Sequence, residues 1–401
     1  MPLQTGVGRI IAYRKETTFG VIPANDASAK KLRRVNFGLS LKKDLIKSEE
    51  LRTDYQRPAG RHGMRKVDGT IQGELSLGTY ADFIGSALRR IFTTVTSLGA
   101  LTTVTATVGA PQFVRGAGSW ITDGLRIGMI VRCTGWTTGG TANNNKNFTI
   151  IALTALNMTV AEAVAAKVAG DSIVFTIPGR VTFAPATGHT DESYAFEDWA
   201  PGVTQSLRYL GNKIGSFEFD MPPNDKVGIS IGVMGQDRVT PVPTSQYFTA
   251  SVAAGTSQMQ TGLSGAVYIA GIAQGVITAM KIKVDGDPEV QGVVGANISP
   301  DVFMGPIDVS GSLSVLWSSG VIDGYFDLET EVAIVIRLLD STSATSEFMT
   351  LTMPHCKLSG GELADNPKAI VQSFEFSARV AADTTGGYEA TTLMVQDSLA
   401  A

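Results

Sequence analysis

The chain has 401 residues, more than one compact core usually holds, so we expect two or three domains. Apolar residues make up 43% and charged residues 17% of the sequence, which excludes a chain too polar to fold. The formal net charge of -4 excludes a globally basic protein that grips nucleic acid through its phosphates. The 44 glycines favour short strands joined by tight turns.

The first third of the chain predicts a sheet with one helix packed on it. Residues 35–41 alternate between apolar and polar side chains, which indicates a half-buried strand. Residues 42–68 are polar, carry charges of both signs and lack apolar periodicity, so we expect a loop there, either functional or disordered. Residues 80–92 place apolar side chains three and four positions apart, which predicts an amphipathic helix.

Residues 93–178 differ in character from the rest of the chain. They hold short alternating Thr-rich stretches separated by turn residues, and the second half has no segment of comparable size. We therefore expect an inserted small all-β domain, Ig-like or barrel-like, whose two ends lie close together. Its Trp120 and Trp136 are either core residues or exposed rings that stack on sugars.

Two stretches of sequence appear twice in the same order. Residues 70–77 resemble residues 308–315, with Gly73 and Gly311 at the centre of the match. Residues 213–219 resemble residues 357–363, and Pro223 and Pro367 follow at the same distance. Two matched landmarks in one order predict a duplicated β unit.

This repeat divides the chain into four parts. We expect residues 1–92 and 179–240 to form the first β unit and residues 93–178 to form the inserted domain. Residues 241–260, which are rich in Ser and Thr, form a linker, and residues 261–401 form the second β unit. A short helix over residues 323–328 is the expected counterpart of the helix in the first unit.

Sites for chemistry are weak in this sequence. Three histidines stand alone, without a second residue at metal-ligand spacing: His62, His189 and His355. Residues 285–289 either form a hairpin turn or hold a calcium ion through their carboxylates, and the Asp-Gly step favours the turn. Cys133 and Cys356 lie far apart, which favours two buried thiols over a disulfide. We expect no enzyme, no cofactor and no metal.

The order of these elements resembles the tail tube protein family of long-tailed bacteriophages. The resemblance rests on residues 13–20, on Gly73-Glu74-Leu75 ahead of the helix, on residues 195–199, and on residues 209–213 leading into 216–219. It covers nearly the whole chain outside residues 93–178, which resemble the decorating β domains of some tail proteins. It implies a mainly β fold of duplicated sandwich or sheet units, each with one helix packed on it.

The resemblance also implies a function and partners. Members of the family build rings that stack into a hollow tube, through which the genome travels into the host. This implies a structural protein of the virion tail that is assembled in the host bacterial cytoplasm. Its partners would be further copies of itself, the tail terminator, tape measure and baseplate proteins, and double-stranded DNA in transit without specific binding. No run of about 20 apolar residues predicts a membrane span.

The predicted duplication suggests how such a ring would close. Open sheets expose unpaired backbone groups at their edges, and joining subunits edge to edge satisfies them. If each half supplies one sheet unit, three chains give a ring with pseudo-sixfold symmetry, and a hexamer of whole chains is the alternative.

Two groups of residues are candidates for contacts in the tube. The mixed charges of the 42–68 loop could pair with the next ring, although a merely solvated loop is the alternative. The candidate inter-ring residues are Arg52, Asp54, Tyr55, Arg57, Arg61 and Arg65. DNA must slide without sticking, so inward positions should be acidic or neutral. The lumen candidates are Glu74, Glu218 and Asp220, unless they are ordinary solvent-facing carboxylates.

Two other functions compete with the tube. A carbohydrate- or receptor-binding tail or surface protein would use Trp120 and Trp136 as stacking platforms. A hydrolase on a β scaffold is the weakest interpretation, because no local catalytic motif supports it.

Overall fold

The computed structural model describes residues 3–317, 320–364, 369–381, 384 and 386–400, so the Pro367 landmark lies outside the described residues. Across these residues the protein is mainly β, with 27 strands and two short α-helices. Within the described part of the chain, no helix has the length and apolar character needed to cross a membrane.

The elements ahead of the predicted insertion are β1 (Ile10–Lys15), β2 (Lys30–Lys31), β3 (Asn36–Phe37), β4 (Ser40–Ile46), β5 (Arg61–Glu74) and α1 (Ala81–Ala87). The next strands are β6 (Leu98–Leu101), β7 (Val104–Thr107), β8 (Gln112–Arg115), β9 (Ile130–Thr134), β10 (Asn147–Leu153), β11 (Asn157–Val160) and β12 (Ile173–Thr176). They form a separate seven-stranded antiparallel sheet with the order β6-β12-β9-β10-β11-β8-β7.

The chain then returns to the main sheet through β13 (Arg180–Phe183), β14 (Tyr194–Ala200), β15 (Gln205–Met221), β16 (Gly228–Gly235) and β17 (Asp237–Arg238). The last third contains β18 (Gly265–Ile269), β19 (Ile272–Ala273), β20 (Ile277–Asp285), β21 (Glu289–Val290), β22 (Val302–Phe303), β23 (Asp308–Leu316), α2 (Val321–Asp327), β24 (Val332–Leu339), β25 (Phe348–Ala364), β26 (Val371–Arg379) and β27 (Met394–Asp397).

Eight long strands form the central sheet in the order β4-β5-β16-β15-β20-β23-β26-β25, and every neighbouring pair is antiparallel. Strict alternation makes one face of this sheet apolar, as in β16, where every second residue is buried. Ile71, Phe217 and Ile231 lie on that face, each at most 1% exposed. The main hydrophobic core therefore lies on one side of the sheet, where α1 also packs.

Two sequence predictions need correction. The helix expected over residues 80–92 ends at Ala87, because Leu88 caps it and Arg89 turns the chain with a left-handed φ of 57°. Residues 42–68 are not one loop, since β4 and β5 pair as a long hairpin up to Ile46 and Arg61, and only residues 47–60 form its tip. Many of the polar side chains of residues 42–68 belong to the edge strand β4 and its partner β5, where one face of the hairpin meets solvent.

The seven-stranded sheet packs around a second core, which combines aliphatic side chains with a cluster of aromatic rings. Phe113 lies 5.0 Å from Phe148 and 5.3 Å from Phe175, ring centre to ring centre, and Trp120 lies 5.2 Å from Phe175. Trp120 is fully buried and Trp136 is 3% exposed, so both tryptophans are core residues. No platform for stacking on sugars exists at either ring.

Candidate assembly surface

Six consecutive strand positions follow the same order in both halves of the chain. The first strand set runs β3 and β4 together, then β5, β16, β15, β14 and β1. The second strand set runs β20, β23, β26, β25, β24 and β18. A short helix follows the second position in each set, as α1 and α2.

Residue pairing gives the register between the two sets. Glu218 pairs with Ser230 in the first set, and Glu362 pairs with Ser373 in the second, which matches the repeat at residues 213–219 and 357–363. For the other landmark, the counterpart of Gly311 is Gly69, four residues before Gly73.

Close backbone approach explains why these two positions are glycine. A methyl group on Gly69 would overlap the carbonyl oxygen of Gly38, and a methyl group on Gly311 would overlap that of Lys281. Gly38 and Lys281 themselves occupy matching places: Gly38 lies between β3 and β4, which pair with β5, and Lys281 lies on β20, which pairs with β23.

The two sets join within the chain at one strand junction. The second half of β15 pairs with β20 over six residue pairs, from Ser216 opposite Asp285 to Met221 opposite Met280. On the apolar side of the junction Phe219 opposes Ile282, and both side chains are fully buried. On the polar side Glu218 opposes Lys283.

Both outer edges of the central sheet remain open in the part of the chain that the structure describes. There β4 pairs only with β5, and beyond Lys357 the edge of β25 pairs only with β26. Leu363 on that edge is 54% exposed, whereas its counterpart Phe219 at the internal junction is 0% exposed. The open edge of β25 therefore corresponds to the edge of β15 that pairs with β20 inside the chain.

The candidate inter-ring residues do not all lie together. Tyr55 is 99% exposed at the hairpin tip, where Arg52 binds Asp54 at 2.9 Å and Arg57 is also exposed. Arg61 is exposed at the start of β5, opposite Ile46. Arg65 lies further along β5 and is held within the chain by Asp237 at 2.6 Å and by the Arg238 carbonyl oxygen.

The three lumen candidates share the polar face of the central sheet. Asp220 and Glu74 both pair with Gly228, from opposite sides, and Glu218 lies two residues before Asp220 on the same face. Lysines accompany two of these carboxylates: Lys226 lies 2.6 Å from Glu74, and Lys281 lies 3.5 Å from Asp220.

Serines line much of the rest of this face. They stand on β15, β16, β23, β25 and β26: Ser216, Ser230, Ser310, Ser312, Ser314, Ser359, Ser373 and Ser377. The polar face therefore combines uncharged hydroxyls with carboxylates, several of which are paired with lysine.

The inserted sheet packs against the second strand set, although the sequence inserts it into the first. Arg337 on β24 binds Glu162 and lies 3.0 Å from the Thr149 hydroxyl. The backbone N–H of Ile130 donates to Gln396 at 2.8 Å. These contacts tie both halves of the chain together through the inserted domain.

Residues 285–289 and the two cysteines have structural roles in the described chain. Asp285 accepts a hydrogen bond from the Asp287 backbone N–H at 3.1 Å, as in a turn, and no group of three metal-ligating side chains is found among the described residues. Burial raises the pKa of the Cys133 and Cys356 thiols to about 12, which makes both unreactive.

Comparison with known proteins points to one family. Residues 6–378 match the family model described as phage tail tube protein. No curated protein matches the chain.

Proposed function

The chain belongs to the phage tail tube protein family, and we propose that three copies close into one ring of the tube. It is a structural protein of the virion tail that self-assembles into the tail tube, the conduit for the genome. The observation that carries the ring proposal is the internal junction between β15 and β20, which joins two matching strand sets.

The open edges have the chemistry to repeat that junction between chains. By the register of the two sets, Glu362 of one copy would oppose Ser40 of the next, and Leu363 would oppose Leu39. Each such contact would satisfy the unpaired backbone groups of two edge strands. Three chains of eight strands would then give a closed inner barrel of 24 strands, with six matching strand sets.

A hexamer of whole chains is the alternative, and would need twice as many strands around the lumen. We favour the trimer because its six matching strand sets give the pseudo-sixfold ring that the family resemblance implies. The mass of an isolated ring distinguishes the two arrangements.

We propose that the hairpin tip forms the contact between stacked rings. The tip is exposed, it carries charges of both signs, and Tyr55 stands free at its end. Replacing residues 47–60 by Asn-Gly keeps β4 and β5 paired, because a two-residue turn closes a hairpin. This variant should form rings that do not stack, and tubes of normal length would contradict the assignment.

The polar face of the central sheet is the proposed lumen wall. The core lies on the other face, so the polar face is the one free to meet solvent inside a closed barrel. Glu74, Glu218 and Asp220 would then repel phosphates, while the paired lysines would add little attraction. Virions carrying Glu218→Lys should release DNA more slowly than virions carrying the control Asp340→Lys, and equal rates would refute this placement.

Further parts of the proposal rest on the family. We propose the tail terminator, tape measure and baseplate proteins as partners, DNA in transit without specific binding, assembly in the host bacterial cytoplasm, and no catalytic role. We also keep the division of the chain into residues 1–92 with 179–240, 93–178, 241–260 and 261–401. Separate expression of residues 93–178 tests whether the inserted domain folds alone.

A further inference from the structure

A three-residue motif precedes the outer strand of each set. Gln4-Thr5-Gly6 lies ahead of β1, and Gln260-Thr261-Gly262 lies ahead of β18. The two copies hold the same place in the fold. Tyr13 opposes Phe196 on β14 and Ile269 opposes Ile334 on β24, and each glutamine stands nine residues before that position.

The second copy of the motif is docked on the first strand set. The Leu75 N–H donates to the Val227 carbonyl oxygen at 2.8 Å, the Val227 N–H donates to that of Gln260 at 2.9 Å, and the Gln260 N–H donates to that of Leu75 at 2.7 Å. These three hydrogen bonds close a cycle, and Leu75, Val227 and Gln260 are all 0% exposed. The segment around Gln260, which leads into the second set, thus covers the end of the first set.

Only in the docked copy does the surrounding structure require glycine at the third position of the motif. A methyl group on Gly262 would overlap the Pro222 carbonyl oxygen, so the close approach requires glycine. The same position on Gly6 has no atom within 4 Å. Leu3 is 88% and Val7 is 98% exposed, and the Gln4 side chain accepts a hydrogen bond from the Gly202 backbone N–H at 2.6 Å.

The second strand set has a matching pair of residues, Trp317 and Ile370, at the corresponding end. The Trp317 N–H donates to the Ile370 carbonyl oxygen at 3.0 Å, which reproduces the hydrogen bond from Leu75 to Val227. Trp317 is 51% and Ile370 is 40% exposed, whereas their counterparts are fully buried. Within the described residues, no segment takes the place of Gln260 there.

We propose that residues 3–8 of one copy dock against Trp317 and Ile370 of the adjacent copy. The inference rests on the proposed ring. Residues 3–8, which we call the arm, would stabilise each junction between copies. The direction agrees with the internal junction, where the second set supplies both β20 and the Gln260 arm to the set that precedes it. The backbone of Gln4 would close the three-bond cycle, and the Trp317 ring would become buried.

Cysteine pairs test the arm directly. Thr261 pairs with Lys226, the residue before Val227, and Ala369 is the residue before Ile370. Thr5→Cys combined with Ala369→Cys should therefore form disulfides between copies, because directly opposed residues of antiparallel strands lie within disulfide reach. The full chain is oxidised as rings and run under denaturing, non-reducing conditions, where a covalently linked three-chain species is expected.

Two control pairs define the register. Thr261→Cys with Lys226→Cys should cross-link within one chain, and Val7→Cys with Ala369→Cys should not cross-link. Rings that form without the Thr5 to Ala369 cross-link would overturn the arm and leave the ring proposal standing. A six-chain linked species would support the arm and overturn the trimer, whereas a chain that never forms rings would overturn both.

A second variant needs no new bond. Gly6→Val should raise the concentration needed for ring formation at least tenfold, because Gly262, its counterpart in the docked copy, has no room for a side chain. Gly99→Val is the matched control, since that glycine also has open space within the chain. Trp317 emission should shift to shorter wavelengths when wild-type rings form. Equal assembly by both variants, or unchanged Trp317 emission, would overturn the arm.

Discussion

Charge on the open edge of β25 should block ring closure while leaving the chain folded. Leu363 is 54% exposed in the single chain, and its counterpart Phe219 is 0% exposed at the internal junction. Leu363→Asp would therefore place a carboxylate where the next copy must bury an apolar side chain. It would also place two acidic residues side by side, since Glu362 precedes it.

The size of the effect follows from two contributions. Burying the exposed half of a leucine contributes about 1 kcal/mol, which the variant loses. Desolvating an unpaired carboxylate costs several kcal/mol more, so each junction should weaken by at least about 3 kcal/mol. That corresponds to a loss of affinity on the order of 100-fold at each junction.

Mass photometry over a range of chain concentrations measures this loss. Val168→Asp is the matched control, because Val168 is 75% exposed in the inserted domain. Thermal melting should show both variants folded, since an exposed substitution changes stability little. If Leu363→Asp forms rings at the same concentration as Val168→Asp, the edge-pairing account is refuted.

Three further predictions concern the single chain, measured on a ring-deficient variant. Gly73→Ala should lower the unfolding free energy by about 1–3 kcal/mol in urea, because the new methyl would overlap the Tyr80 hydroxyl, and stability equal to Gly99→Ala would contradict this. Burial raises the pKa of Asp397 to about 6, so the folded chain holds this proton to higher pH than the unfolded chain and loses about 3 kcal/mol of stability as pH rises from about 4 to about 6. Asp397→Asn should remove that loss in urea titrations, and an unchanged pH dependence would refute the assignment. Arg337→Ala should speed amide hydrogen exchange in residues 147–162, because it leaves Glu162 without its cation, and unchanged exchange there would show that the inserted domain is held by other contacts.

The sequence repeat could be read in outline, but its register could not. Residues 70–77 and 308–315 both alternate apolar and polar side chains, and a shift by four residues preserves that alternation. Only the close approach of the Gly38 and Lys281 carbonyl oxygens identifies Gly69 and Gly311 as equivalent. Contacts between strands that are distant in sequence carry this information.

The Gln-Thr-Gly motif is present in the sequence but carries little signal by itself. Leu3 to Gly8 and Met259 to Ser264 share three identical residues and two apolar pairs, which is too short a match to stand out alone. The motif is informative because Gln260 is buried and hydrogen-bonded to Leu75 and Val227. The periodicity of apolar residues does not predict this contact.

The end of helix α1 and the position of the inserted domain could not be predicted from local sequence patterns. The apolar spacing over residues 80–92 continues past the helix because Phe92 still reaches the same core after the turn at Arg89. The inserted domain docks on the second strand set through Arg337 and Glu162, which are far apart in sequence and have no shared local signature. The predicted β fold class, in contrast, followed from alternation and is confirmed by the mainly β structure.

The number of chains in one isolated ring decides whether two strand sets from each chain close the inner barrel. Native mass spectrometry of rings from the variant that lacks residues 47–60 avoids stacking and counts the chains. We predict three chains, with a ring mass a little below three times the 42.3 kDa of the full chain. A ring of six chains, or a population of single chains at concentrations that support tube growth of the full protein, would contradict it.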